Sequence, residues 1–266
     1  MDQARASFGR LLRHWRQQRG CTQLDLALQA DVSARHLSWL ETGRAQPSRA
    51  MVLRLVERLE VPLRERNVLL AAAGFAPLYP ARPFTDPALD DVRAALQRLL
   101  DAHEPWPALA VDRHWNLVAH NRLVPLLLAQ AAPELATPPI NVLRLSLHPQ
   151  GLAPLIGNLA DWRTYVLRRL QQQVANTQDP VLQALLVELE GLPGPAASEA
   201  AAPGLQDVAV PLLLHTPAGT LRFITAVTVF GAPRDVTLSE IAIETLLPAD
   251  PATADALRQL HANLSP

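Results

Sequence analysis

The residues best placed to do chemistry lie in TQLDLALQADVSARHLSWLETG, residues 22–43, and that chemistry is recognition. Thr22 and Ser33 are spaced to cap two short helices, Gln23–Ala30 and Ala34–Thr42, around the turn Asp31–Val32. Two helices crossing at a fixed angle need a small residue at the contact, and Ala27 supplies it. Val32 fills the turn, and Leu37 with Leu40 gives the second helix an inward face. The opposite face then carries Ala34, Arg35, Ser38 and Trp39. Such a face can enter a major groove about 12 Å wide, where Arg35 and Ser38 meet base edges. Ser33 and His36 complete the candidate DNA-facing set, His36 as a solvated or phosphate-contacting side chain. Cys21, the chain's single cysteine, reads as a small structural residue. It excludes an intramolecular disulfide and any site built from several cysteines.

Five helices must position that face. The first, Phe8–Arg19, repeats Leu11, Leu12 and Trp15 at helical spacing and stops at Gly20. After the central pair, Gly43 ends the recognition helix, Pro47 and Ser48 open a fourth to about Glu60, and Pro62 starts a fifth that ends at Gly74. The spacing resembles the Xre/Cro-type helix-turn-helix family. The resemblance implies that Gln23, Arg44 and Arg49 grip phosphates, while Arg16 and Glu41 pair to brace the fold. Asp31 stands where the family usually has a left-handed glycine, a conformation that Asp tolerates better than most residues.

Charge agrees with this division. Residues 1–74 hold 12 arginines against seven acidic residues, and the remainder holds 12 against 18. There is no lysine. A basic unit joined to an acidic body suits a nucleic-acid reader carrying a second module. With 49 % apolar and 18 % charged residues, the chain falls among ordinary globular proteins. It has no apolar run of about 18 residues and no apolar signal core at its start, so a cytoplasmic location without membrane partners is expected.

Domain boundaries are expected at 1–76 for the reader, 77–87 for a linker and 88–266 for the second domain. FAPLYPARPFTDP, residues 75–87, has four prolines in 13 residues and reads as a stiff linker or docking segment. A helix over Ala88–Ala102 and two short strands, Ala108–Val111 and Trp115–Ala119, follow. Helical stretches are expected near Arg122–Gln130, Leu152–Leu159, Trp162–Val174 and Pro180–Leu189. GLPGPAASEAAAPG, residues 191–204, reads as a loop. Strand-like segments Val208–His215, Thr220–Phe230 and Val236–Leu246 precede a last helix, Pro251–Leu264. The second domain is therefore α+β with an antiparallel sheet.

Longer strings carry a more specific resemblance. FGRLLRHWRQQRG, RHLSWLETGRAQPSR, VPLRERNVLLAAAGFAP, HEPWPALAVDRHWNLVAHN, NVLRLSLHPQGL and VFGAPRDVTLSEIAIETLLPAD together resemble the MmyB-like transcription regulators. That resemblance implies an Xre-type reader joined to a PAS-like ligand-binding domain, usually dimeric, whose pocket accepts fatty-acid-like molecules. The expected partners are double-stranded DNA, an apolar ligand and a second copy of the chain.

A sheet covered by helices can enclose a small apolar cavity, and a fatty acid there needs a group for its carboxylate. Arg144, His148 and Arg163 sit in or beside apolar segments and are the candidates, although an arginine so placed also suits a surface ion pair. Trp106, Trp115 and Trp162 read as core, with Trp115 also kept as a candidate ligand-lining residue. Asn116 and Asn121 flank a strand and suit turn-capping. No catalytic motif is present: there is no GxSxG, HExxH, GxGxxG after a strand, or GxxxxGK[ST]. Pro105 breaks the helix that a metal motif at His103–Glu104 needs, and His114 with His120 lacks further ligands. No metal, cofactor or enzymatic activity is expected. Two other readings stay open, a ligand-free docking or dimerisation module and a flavin or haem redox sensor.

Overall fold

A computed structural model describes residues 2–195, 210–217 and 219–264, without the side chains of residues 2–6. The first elements are α1 (Asp2–Gln18), α2 (Gln23–Gln29), α3 (Ala34–Glu41), α4 (Arg49–Arg58) and α5 (Leu63–Ala72). Then come α6 (Asp90–Asp101), β1 (Ala108–Val111), β2 (Leu117–His120), α7 (Val124–Leu128), α8 (Val142–Leu147), α9 (Leu159–Thr177) and α10 (Pro180–Gly191). The last are β3 (Leu212–Thr216), β4 (Gly219–Val229), α11 (Val236–Ser239), β5 (Ala242–Pro248) and α12 (Pro251–Ala262). Contacts divide the chain into two units, residues 1–84 with 231–239, and residues 85–230 with 240–266.

The first unit is the expected all-helical bundle. Thr22 and Asp25 form a reciprocal capping box on α2, and the Ser33 and Ser48 hydroxyls cap α3 and α4. Phe8, Leu12, Leu26, Leu37, Leu40 and Leu55 fill the core, with Ala27 buried at the helix crossing and Val32 packed beside it. Asp31 adopts the left-handed conformation, φ 53°. At Gly9, α1 and α3 approach so closely that a Cβ would lie 2.5 Å from the Glu41 carbonyl oxygen.

The proline-rich stretch is tied down within this unit. The Asn67 carboxamide accepts the N–H groups of Leu78 and Tyr79 and donates to the Tyr79 carbonyl at 2.7 Å. Arg82 pairs with Asp235 at 3.1 Å, and the Val236 N–H donates to the Pro80 carbonyl at 2.7 Å. Val236 is fully buried. The sequence places residues 77–87 as a linker, whereas contacts assign 77–84 to the bundle and add 231–239 to it.

The second unit holds a five-stranded antiparallel sheet in the order β2-β1-β5-β4-β3, the PAS-like architecture that the resemblance implies. Leu212, Leu214, Leu221, Phe223 and Leu246 on one face pack with Trp162, Val166 and Leu170 of α9 and with leucines of α10. Contacts of α6 fall on β1 and β2, and those of α12 on β4 and β5. Asp112 accepts the N–H groups of His114 and Asn116, while Asn121 bridges four backbone groups, so both asparagines lie in the turn networks that their type suggests.

Three segments differ from expectation. Val236–Ser239 is a helical turn and β5 starts only at Ala242, because the Asp235 carboxylate accepts the Thr237 N–H and caps a helix start. Leu152–Leu159 is broken into a 3-10 turn at Ala153–Leu155 and the start of α9, and the Gly157 N–H is drawn to the Leu213 carbonyl. α8 arises where no element is expected, capped by the Asn141 side chain. Residues 196–204 of the expected loop, and the start of the strand expected from Val208, lie outside the described residues.

Candidate functional site

The reader's outward face is built on α3. Arg35 is exposed, Trp39 is 37 % exposed, and Ser38 is half-buried between them. The Arg35 guanidinium carbon lies 4.6 Å from the centroid of the Trp39 ring, one helical turn away. Ser33 spends its hydroxyl on the His36 N–H at 3.1 Å, so the side chain works first as a cap. Ala34 is exposed and His36 half-buried. Arg44 and Arg49 are exposed, and among the described residues neither has an ion-pair partner.

Beneath this face lies a buried polar cluster. Arg16 Nε donates to Glu41 Oε1 at 2.6 Å and Arg16 Nη2 to Glu41 Oε2 at 3.0 Å. The hydrogen bond to Glu41 raises the Arg16 pKa beyond its already high value. Gln23 joins the cluster, its amide donating to Glu41 Oε2 at 2.8 Å. Its carboxamide is thus turned inward. Burial pushes the neighbouring Cys21 thiol up, which suits a structural residue better than a reactive one.

Three of the four candidate ligand residues, Arg144, His148 and Arg163, lie about the end of α10 at Glu188 and Glu190, and Trp115 lies away from them. Arg144 is held bidentately by Glu188, at 2.5 and 2.8 Å, and its hydrogen bond lowers the Glu188 pKa. His148 Nδ1 accepts the Gln150 N–H. Arg163 is 8 % exposed, and its one hydrogen-bond partner among the described residues is the Glu190 carbonyl, 2.9 Å away at the end of α10. Trp115 is buried in the left-handed conformation, φ 69°, and donates to Gln173 at 2.8 Å. Gln173 and Arg163 are about 15 Å apart along α9 at a 1.5 Å rise per residue.

Sequence reasoning missed a second cluster beside Trp115. Arg169 lies 4.3 Å over its ring and pairs with Glu244 at 2.6 Å. Glu244 is a charge inside the apolar run IAIETLLP, a signal that was readable. On the same sheet face, Thr225 Oγ1 is buried without a hydrogen-bond partner among the described residues, and Thr225 pairs in register with Leu246. Among the described residues, no group of three or more His, Cys, Asp or Glu side chains is disposed to hold a metal ion. No described helix is long and apolar enough to cross a membrane.

A helix-turn-helix bundle and a PAS-like unit on one chain define the class: a DNA-binding transcription regulator with a ligand-binding domain. Residues 92–260 match the MmyB-like transcription regulator ligand binding domain, and residues 7–69 match a helix-turn-helix domain. The chain belongs to the MmyB-like transcription regulators. Among solved structures, it is similar to the clp gene regulator ClgR of C. glutamicum, with 32 % identity over 27 % of this chain and 88 % of that one, TM-score 0.24. It is also similar to the restriction-modification controller protein C.AhdI of Aeromonas hydrophila, with 28 % identity over 23 % of this chain and 92 % of that one, TM-score 0.22. An RNA-binding light-oxygen-voltage receptor aligns over 98 % of this chain and 65 % of its own, with 15 % identity and a TM-score of 0.28. No curated protein matches the chain.

Proposed function

We propose that the protein is a homodimeric transcriptional regulator in the cytoplasm, whose affinity for a palindromic DNA site changes when its second unit binds a fatty-acid-like molecule. The observation that carries the reading is the pairing, on one chain, of a recognition helix whose Arg35 has no ion-pair partner among the described residues with a family ligand-binding domain. Arg35 and Ser38 read bases, with Trp39 beside them. Arg44, Arg49 and Gln23 hold phosphates, with Ser33, Ala34 and His36 lying close to the duplex.

In the second unit, Arg163 is the favoured partner for a carboxylate. It is a buried cation with no ion-pair partner among the described residues, whereas Arg144 is already neutralised by Glu188. Thr225 supplies a spare hydroxyl on the helix-covered face of the sheet. Native mass spectrometry of the purified full chain tests the sensor, and a bound long-chain carboxylic acid is the expected mass. A flavin or haem mass, or a protein to which added myristate never binds, overturns it. Footprinting tests the reader: two half-sites about one helical turn apart are expected, and absence of protection on any DNA sinks it.

A further inference from the structure

Arg35 and Trp39 form a unit whose chemistry is narrower than general groove binding. Several other arginines of the bundle are spent on the fold. Arg16 pairs with Glu41, Arg19 donates to the Leu59 and Glu60 carbonyls, Arg54 to Ala30, and Arg66 to Val61. Arg35 has no hydrogen-bond or ion-pair partner among the described residues, and its guanidinium lies over the Trp39 ring. Stacking over a ring face leaves the in-plane N–H fork of an arginine free and holds its long side chain in one orientation.

That fork matches one base edge best, the N7 and O6 acceptors of guanine. Arg35 is the second residue of α3, at the end of a recognition helix that meets the base edges. Trp39 is outside the buried cluster of the bundle and 37 % exposed, so a large apolar ring is offered on the reading face itself. One ring face is covered by Arg35, and the uncovered edge can meet only one apolar group in the major groove, the C5-methyl of thymine. One helical turn is about 5.4 Å and neighbouring base pairs about 3.4 Å apart, which puts this contact beside the guanine.

Resting on the proposed DNA binding, we infer that Arg35 and Trp39 together read a guanine with an adjacent thymine in each half-site, Trp39 acting as the positioning residue for Arg35 and as the methyl sensor. Selection from a randomised duplex library with the full-length protein gives the site. Affinities of wild type, W39A, W39F and R35K are then measured on that site and on single-base variants across a salt series. Wild-type sites are expected to carry the guanine and thymine. Replacing that thymine with deoxyuridine, which removes only the methyl, should weaken wild type about fivefold and leave W39A unchanged.

W39A should also lose about fivefold of guanine discrimination, and W39F should recover most of it. R35K should weaken the guanine preference, since an ammonium can meet N7 and O6 but has no planar fork to match them. If W39A keeps the wild-type base preference and the wild-type response to deoxyuridine, the inference is overturned while DNA binding stands. If wild type selects no sequence at all, the proposed function fails first. Matching melting temperatures for the variants separate these outcomes from misfolding.

Discussion

Removing Glu41 should unfold the reader far more readily than removing the whole Arg16–Glu41 pair. The Glu41 side chain is 2 % exposed and that of Arg16 11 %, and three hydrogen bonds converge on the carboxylate. In E41A, the Arg16 guanidinium stays in its buried seat and keeps only its bond to the Cys21 carbonyl. Stranding one member of such a pair costs about 3–5 kcal/mol, and the residual access of Arg16 to solvent places this case near about 3 kcal/mol. For a unit of this size, that is a fall of about 12–24 °C in the first unit's melting transition. Replacing both partners with apolar residues, R16M with E41L, removes the stranded charge along with the attraction and should fall within about 1 kcal/mol of wild type. Differential scanning calorimetry of the full chain, with urea unfolding followed by tryptophan fluorescence, measures both. If E41A melts within about 3 °C of wild type, or the double variant is the worse of the two, the buried pair does not brace the bundle.

G9A should cost about 1–3 kcal/mol in the same transition, because its Cβ meets backbone that a side-chain rotation cannot move. R163Q should lose about tenfold or more in affinity for a long-chain carboxylate, while R144Q keeps wild-type affinity, as read by isothermal titration with myristate. Equal losses in both would return the site to an unassigned state. Acid titration should show the second unit losing stability as pH falls from about 4.5 towards about 2. The Arg122 guanidinium, with His261 and the Arg122 N–H, lowers the Glu104 pKa to about 2. A carboxyl held below its ordinary value contributes stability above that value and loses it as pH falls through the depressed one. The E104Q variant should flatten the acid limb of a stability curve measured by urea midpoint.

The helix-turn-helix was legible because its signals are local. Thr22, Ser33 and Ser48 announce helix starts a few residues ahead, and Leu37 with Leu40 shows the buried side within one turn. Where legibility failed, the deciding partner was far along the chain or two local signals conflicted. Gln23 turns inward because of Glu41, 18 residues away, and Arg169 is fixed by Glu244, 75 residues away. α8 buries Leu143, Leu145 and Leu147, an alternating pattern that mimics a strand and hides a short capped helix. At Val236–Ser239 the apolar and β-branched residues favour a strand, and one capping carboxylate at Asp235 decides otherwise. The same distance limits what the sequence says of the ligand candidates. Arginine type and apolar context do not reveal whether a Glu188 stands opposite.

The tie between residues 77–84 and 231–239 has a consequence for how this gene can be cut. A fragment that ends at Phe84 contains all five reader helices, but it lacks Val236, which is fully buried, and Asp235, which pairs with Arg82. The excised reader therefore carries an open apolar seat and a freed arginine that the intact chain does not have. Recombination between relatives faces the same restriction. A foreign reader joined to this second unit brings its own version of residues 77–84 but inherits residues 231–239 from the other parent. The two stretches have to be exchanged together, and a single crossover cannot do that.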